Sequence, residues 1–274
     1  MTSNDTRPAA GSPARTPRDA AWAWRLSPAQ GIGVAIAVAL GIAVYLVGLP
    51  SDVVWFGTPL SDITVAVALG VALLGVAIVG ASAARGAWRV VDIVVASVLG
   101  VAGGLVFALW DLAWPGISTA VQPPASAIFV GVWLFPAVLG GLVIRRPGAA
   151  VYTELIAAFV EALAGPNPWG FATVWYGVVE GLGAEAVFAL LLYRAFGAVA
   201  AVGAGIGAGV AVGVMDSLIY YPEVLGTAGR LGYVGLAVVS GAVIAGVGMW
   251  LLTRALAATG ALAPLASGRA ARRV

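Results

Sequence analysis

Three residue types are missing from this chain altogether: cysteine, histidine and lysine. Without cysteine there is no disulfide framework and no thiol nucleophile. Without histidine the commonest general base and the usual zinc or haem ligand are gone, which excludes a zinc-dependent membrane protease or a His-ligated b-type cytochrome. Without lysine there is no P-loop lysine, so the chain is not a Walker-type ATPase. If ATP drives this protein, another subunit hydrolyses it, and no cofactor or metal is expected in the chain itself. Charge is scarce as well: only 9 % of the 274 residues are charged, against about 25 % in a soluble domain.

What fills the sequence is apolar. Hydrophobic residues make up 61 % of it and the mean hydropathy is +1.02, which reads as an all-α polytopic membrane protein. Apolar runs at about 31–49, 63–84, 90–112, 125–144, 149–164, 171–193, 197–218 and 231–253 give eight transmembrane spans. The first run follows a basic segment, but it exceeds the 7–15 residues typical of a signal-peptide core and is read as a span. The arginines test the count. With a cytoplasmic N-terminus, thirteen of the fourteen fall on the inner side and only Arg230 falls outside, as the positive-inside rule demands. Both termini are therefore expected in the cytoplasm of a cell-membrane protein. Residues 1–25 read as a disordered basic tail, 26–87 as an N-terminal transmembrane hairpin, 88–256 as a six-helix membrane domain and 257–274 as a second basic tail.

The acids are distributed differently. Asp52, Asp62, Asp111, Glu161, Asp216 and Glu223 fall in outer loops or at the outer ends of spans. Glu154, Glu161, Glu180 and Glu185 lie in two apolar segments joined by a Pro/Asn/Trp turn, where hydrocarbon makes each carboxylate costly. Glu154 and Glu161 are seven residues apart and share a helix face, as do Tyr176 and Glu180 at a spacing of four. Aromatics accompany the acids: Trp110 and Trp114 beside Asp111, Trp169, Trp175 and Tyr176 ahead of Glu180, Tyr220 and Tyr221 after Asp216, with Trp133 and Phe135 in the fourth span. Carboxylates accept hydrogen bonds from ring amines, and aromatic faces stack on flat rings and attract cations. The combination suits an aminopyrimidine, and a thiazolium better still. A bundle whose glutamates relay protons, or whose acids only bridge helices, is the competing reading.

Glycine is abundant, but Gly203, Gly205, Gly207 and Gly209 sit in an apolar helix with no strand before them. They read as close-packing positions, not as a dinucleotide loop. Ala96, Gly100 and Gly104 form a small-residue stripe on the third span, a smooth track for another helix of this chain or of a partner.

From Trp88 to about Arg254 the sequence resembles the YkoE family, the substrate-binding S-components of energy-coupling-factor (ECF) transporters for thiamine or its hydroxymethylpyrimidine precursor. The carriers are WRVVDIVVASVLGVAGGLVFALWD, RRPGAAVYTELIAAFVEALAGPNPWG, YGVVEGLGAEAVFALLLYR and DSLIYY. The resemblance implies a six-helix bundle, non-enzymatic, that captures a vitamin from outside and docks on a transmembrane T-subunit powered by two cytoplasmic ATPases; no nucleic-acid partner is expected. It implies that Ala96, Gly100 and Gly104 contact the T-subunit. Chemistry and depth make Trp110, Asp111, Glu154, Glu161, Trp169, Trp175, Tyr176, Glu180, Asp216 and Tyr220 the candidate ligand residues. The hairpin at 26–87 has no counterpart in the family pattern.

Overall fold

The protein is described by a computed structural model covering residues 26–55, 58–84, 86–164, 167–221 and 225–271. The N-terminal tail expected at 1–25, the acid Glu223 and the last three residues lie outside the described residues, as does the Asp62 side chain.

All eight expected spans are helical. The N-terminal hairpin is α1 (Pro28–Val47) and α2 (Thr64–Ala81), joined through two-residue strands at Val54–Trp55 and Thr58–Pro59. Ser27 starts α1: its hydroxyl accepts from the Gln30 amide while the Gln30 side chain accepts from the Ser27 amide, a reciprocal cap with Pro28 in the first turn. Then come α3 (Val90–Ala120), a 3₁₀ segment (Ala125–Val132), α4 (Phe135–Ile144), α5 (Ala149–Ala164) and α6 (Ala172–Leu190). They are followed by α7 (Ala198–Ile219), α8 (Thr227–Ser240), a π-helical stretch (Gly241–Gly248), α9 (Met249–Ala258) and the short α10 (Ala266–Ala271). Six of these stretches are long and apolar enough to cross a membrane: 28–47, 64–81, 90–120, 125–144, 198–219 and 227–258. The two remaining, α5 and α6, carry all four buried glutamates, and α5 is also the shorter at 16 residues.

The fourth span is not one continuous helix. It breaks at Trp133–Leu134, and only the second part, α4, is α-helical. A helix that starts inside the bundle leaves its first N–H groups unpaired. Glu154 of α5 accepts from the Ala137 amide at 2.6 Å, a carboxylate at a helix N-terminus, where the dipole favours it. Every residue of α4 from Pro136 to Ile144 is buried, so this helix is the axis on which α3, α5, α6, α7 and the π-helical stretch close.

Glycines set the interhelical distances. Gly205 and Gly241 face each other backbone to backbone, Gly207 abuts Gly183 of α6, and Gly209 abuts Ala237 of α8. The glycine run is thus a two-faced packing surface, as its setting in an apolar helix predicts. The stripe on α3 corrects one expectation. Ala96 is fully buried, Gly100 lies against Thr153 and Ile156, and Gly104 against Ala157 and Val160. The track expected to meet a T-subunit is filled by α5 of the same chain, because the small side chains let those two backbones approach.

The hairpin docks on the bundle through α2: Gly80 abuts Ala189, and Ile63 and Ala66 pack with Val179, Ala211 and Met215. At the arginine-rich end, Asp92 in the first turn of α3 binds Arg89 at 2.7 Å and lies 3.7 Å from Arg146. The hydrogen bond to Asp92 holds the Arg89 guanidinium above its ordinary pKa. The segment after 257 folds back instead of trailing away. Leu262 and Leu265 are buried with Ala96, Leu139, Val143 and Ile144, and Arg89 and Arg269 both donate to the Pro264 carbonyl.

Candidate functional site

Five α-helices and the 3₁₀ segment direct side chains into one cavity of about 100 Å³. A single water needs about 10–15 Å³ in such a space, so the cavity is sized for a small organic molecule. From α5 come Glu154, Ala158 and Glu161, and from α6 Thr173, Tyr176, Gly177 and Glu180. Both sets follow the i, i+4, i+7 spacing of one helix face. The C-terminal end of α7 adds Asp216, followed by Tyr220 and Tyr221; α8 adds Tyr233. Phe107 and Trp114 of α3, with Trp133 just past the 3₁₀ segment, complete the wall. Trp169 is held over it by Asn167, whose side chain accepts from the Trp169 amide at 2.8 Å and donates to the Gly170 carbonyl at 3.1 Å and to the Thr173 hydroxyl at 3.2 Å.

The carboxyls are buried and incompletely satisfied. Glu154 is fully buried; one oxygen caps α4, and the other has no hydrogen-bond partner among the described residues. Glu161, also buried, has one oxygen without a partner and lies within hydrogen-bonding reach of Asp111. Asp111 accepts from the Trp133 indole at 3.3 Å. Glu180 shares the cavity with Glu154, Glu161 and Asp216, and Asp216 accepts from the Tyr233 hydroxyl at 2.7 Å. Among the described residues no arginine lines the cavity. Several acids gathered out of water without a counter-charge cost several kcal/mol apiece. A ligand that brings positive charge or N–H donors offsets that cost.

The aromatic groups form two patches. Trp133 meets Trp114 at 5.0 Å and Trp169 at 5.6 Å, both edge to face. Tyr176 and Tyr220 stack at 5.4 Å with their planes 16° apart.

Of the ten candidate ligand residues, the structure brings Glu154, Glu161, Trp169, Tyr176, Glu180, Asp216 and Tyr220 to the cavity. Trp175 does not line it: the cavity face of α6 runs through Thr173, Tyr176, Gly177 and Glu180, and residue 175 points off that face. Trp110 and Asp111 stand behind the wall, Trp110 packing edge-on against Trp133 at 6.1 Å. Phe107, Thr173 and Tyr233 were not among the candidates. Trp114, Trp133 and Tyr221 belonged to the aromatic set, but nothing in their spacing singled them out. Glu185 plays a different part: it accepts from the amides of Gly148 at 2.7 Å and Ala150 at 2.8 Å and from the Tyr193 hydroxyl at 2.6 Å, which makes it the cap of α5.

Residues 91–211 match the family described as the ABC-type cobalt transport system, permease component. Over 182 residues the chain is 32 % identical to the putative HMP/thiamine permease protein YkoE of Bacillus subtilis (strain 168), an alignment covering 66 % of this chain and 91 % of that one. A crystal structure of an S-component of an ECF transporter superposes with a TM-score of 0.65 at 32 % identity, over 68 % of this chain and 94 % of that one. A multi-pass helical bundle closed around one polar, aromatic-walled cavity is thus, by fold, an S-component. Within that class the chain belongs to the YkoE family.

Proposed function

We propose that this chain captures thiamine or its hydroxymethylpyrimidine half from outside the cell and delivers it as the S-component of an ATP-driven importer, with no catalysis of its own. The carrying observation is the cavity itself: Glu154, Glu161, Glu180 and Asp216 line it together with tryptophan and tyrosine faces, and no arginine does among the described residues. That lining complements a flat, nitrogen-rich ring that donates hydrogen bonds or carries positive charge. Import energy comes from partners, a T-subunit and two cytoplasmic ATPases, since the chain has no lysine for a P-loop. The arginine partition supports a cell-membrane orientation with both termini in the cytoplasm.

The test is a thermal-shift and calorimetric screen of the detergent-purified chain against vitamins and their precursors. Thiamine or hydroxymethylpyrimidine is expected to raise the unfolding temperature, because a ligand that binds only the folded state stabilises it. Absence of a shift with either, at concentrations up to millimolar, overturns the reading. Uptake into liposomes is expected only when the T-subunit and ATPases are present; proton-driven uptake by the chain alone contradicts the mechanism.

A further inference from the structure

α6 is enclosed on nearly every side. From Val179 to Ala189 only Val187 escapes burial, whereas α3, also at the rim of the bundle, leaves Val94, Val98, Leu105 and Leu109 more than half uncovered. The cover on the outer side of α6 is the N-terminal hairpin, which is built in layers. Gly33, Gly41 and Gly75 let α1 and α2 close on one another, and α2 in turn lies along α6. Gly183 and Gly207 bring α6 and α7 together backbone to backbone. Nearer the cavity α2 reaches both helices at once. Ile63, just ahead of α2, and Ala66 in its first turn pack with Val179 of α6 and with Ala211 and Met215 of α7, and Tyr176 and Ile219 border the same cluster. Tyr176 also lines the cavity, where it stacks on Tyr220, and Met215 and Ile219 are the sequence neighbours of the cavity residues Asp216 and Tyr220. The two helices are thus joined from inside by a tyrosine pair and from outside by α2.

We infer that the hairpin is a positioning element for the ligand site: Ile63 and Ala66, which do not line the cavity, set the spacing of α6 and α7 and with it the placing of Tyr176, Glu180, Asp216 and Tyr220. A site whose side chains come from two helices needs those helices at a fixed separation. The glycine crossing fixes that separation at Gly183, but Tyr176 lies seven residues further on, about 10 Å along the axis at 1.5 Å per residue. At that level the outer brace is the seam with α2, and a close-packed seam transmits small displacements instead of absorbing them. The hairpin lies ahead of residue 91, where the family match begins, so it is an addition to the bundle that has become part of how the cavity is held.

This inference rests on the proposed function, and two readouts on the full chain separate their failures. The first is the Kd for thiamine and for hydroxymethylpyrimidine, measured well below the melting temperature, where loss of stability alone does not change the affinity of a chain that stays folded. Ile63→Ala is expected to weaken binding about fivefold or more, and Ile63→Val to restore most of it. Gly80→Ala disturbs the same hairpin against Ala189, 17 residues and about 25 Å further along; it is expected to lower the melting temperature and leave Kd within about twofold. The second readout needs no ligand. The chain has no cysteine, so spin labels attach only at Phe171→Cys and Leu218→Cys, at the cavity ends of α6 and α7, and Ile63→Ala is expected to broaden the distance distribution between them. If Ile63→Ala binds as the unmodified chain does, or if Gly80→Ala weakens binding equally, the hairpin only stabilises the fold; the inference is overturned while the transport reading stands. If the unmodified chain binds neither ligand the transport reading fails, and the distance distribution decides alone: unchanged by Ile63→Ala, it overturns the inference, and broadened, it upholds the bracing of α6 and α7. Should Ile63→Ala not fold, Val67→Ala at the same seam takes its place in both measurements.

Discussion

Glu180 and Glu185 are five residues apart on one helix, and they do different things. At 3.6 residues per turn they are separated by about 140° around α6. Glu180 looks into the cavity; Glu185 looks toward the start of α5, where backbone amides and the Tyr193 hydroxyl satisfy it. The two glutamates should therefore respond oppositely to substitution. Glu185→Ala strands several buried donors, each worth about 1–3 kcal/mol, so the unfolding temperature should fall by many degrees while any protein that remains folded keeps its ligand response. Glu180→Gln should leave the unfolding temperature of the free chain within a few degrees but remove most of the ligand-induced shift. A single pair of thermal melts, with and without thiamine, checks both. Equal loss of stability in the two variants would mean that Glu180 is structural as well.

At the scale of elements, the small-residue stripe is the instructive case. Every fourth residue of α3 from Ala96 to Gly104 is small, and that pattern alone fits a docking track on the outside as well as a packing seam within. The seam is what forms, with Gly100 and Gly104 set against the α5 backbone. Gly104→Leu should consequently destabilise the isolated chain, by about 1–3 kcal/mol or more as overpacking does. The measurement is the melting temperature of the purified protein with no partner present. A stripe reserved for a partner would leave that temperature unchanged and reduce only assembly with the T-subunit. The same approach distances explain why α4 can sit buried from Pro136 to Ile144: its neighbours close on it through Gly103, Gly140 and Gly141, which abut Pro136, Thr153 and Phe188.

For the whole molecule, the sign of the charge in the cavity decides which ligands are turned away. Four acids line it and no arginine among the described residues does. A phosphate ester of the vitamin would place its anion among those carboxylates, and juxtaposed like charges cost several kcal/mol. Thiamine monophosphate should therefore compete with thiamine at least tenfold less well than unlabelled thiamine does. Competition at equal strength would show that the phosphate escapes to solvent and that the acids do not sense it.

Composition and periodicity were enough to establish the membrane character, the all-helical bundle and the helix faces on which Glu154, Glu161, Tyr176 and Glu180 lie. Those properties are local: burial in lipid selects apolar runs of a given length, and the helical repeat decides which residues share a side. What the sequence alone did not decide is what stands opposite each side. Gly104 meets α5 of its own chain, Glu185 meets a helix start, Trp175 turns off the cavity face, and Tyr233 crosses from α8 to hold Asp216. Such pairings join residues far apart in the chain, and only the packing of whole helices brings them together.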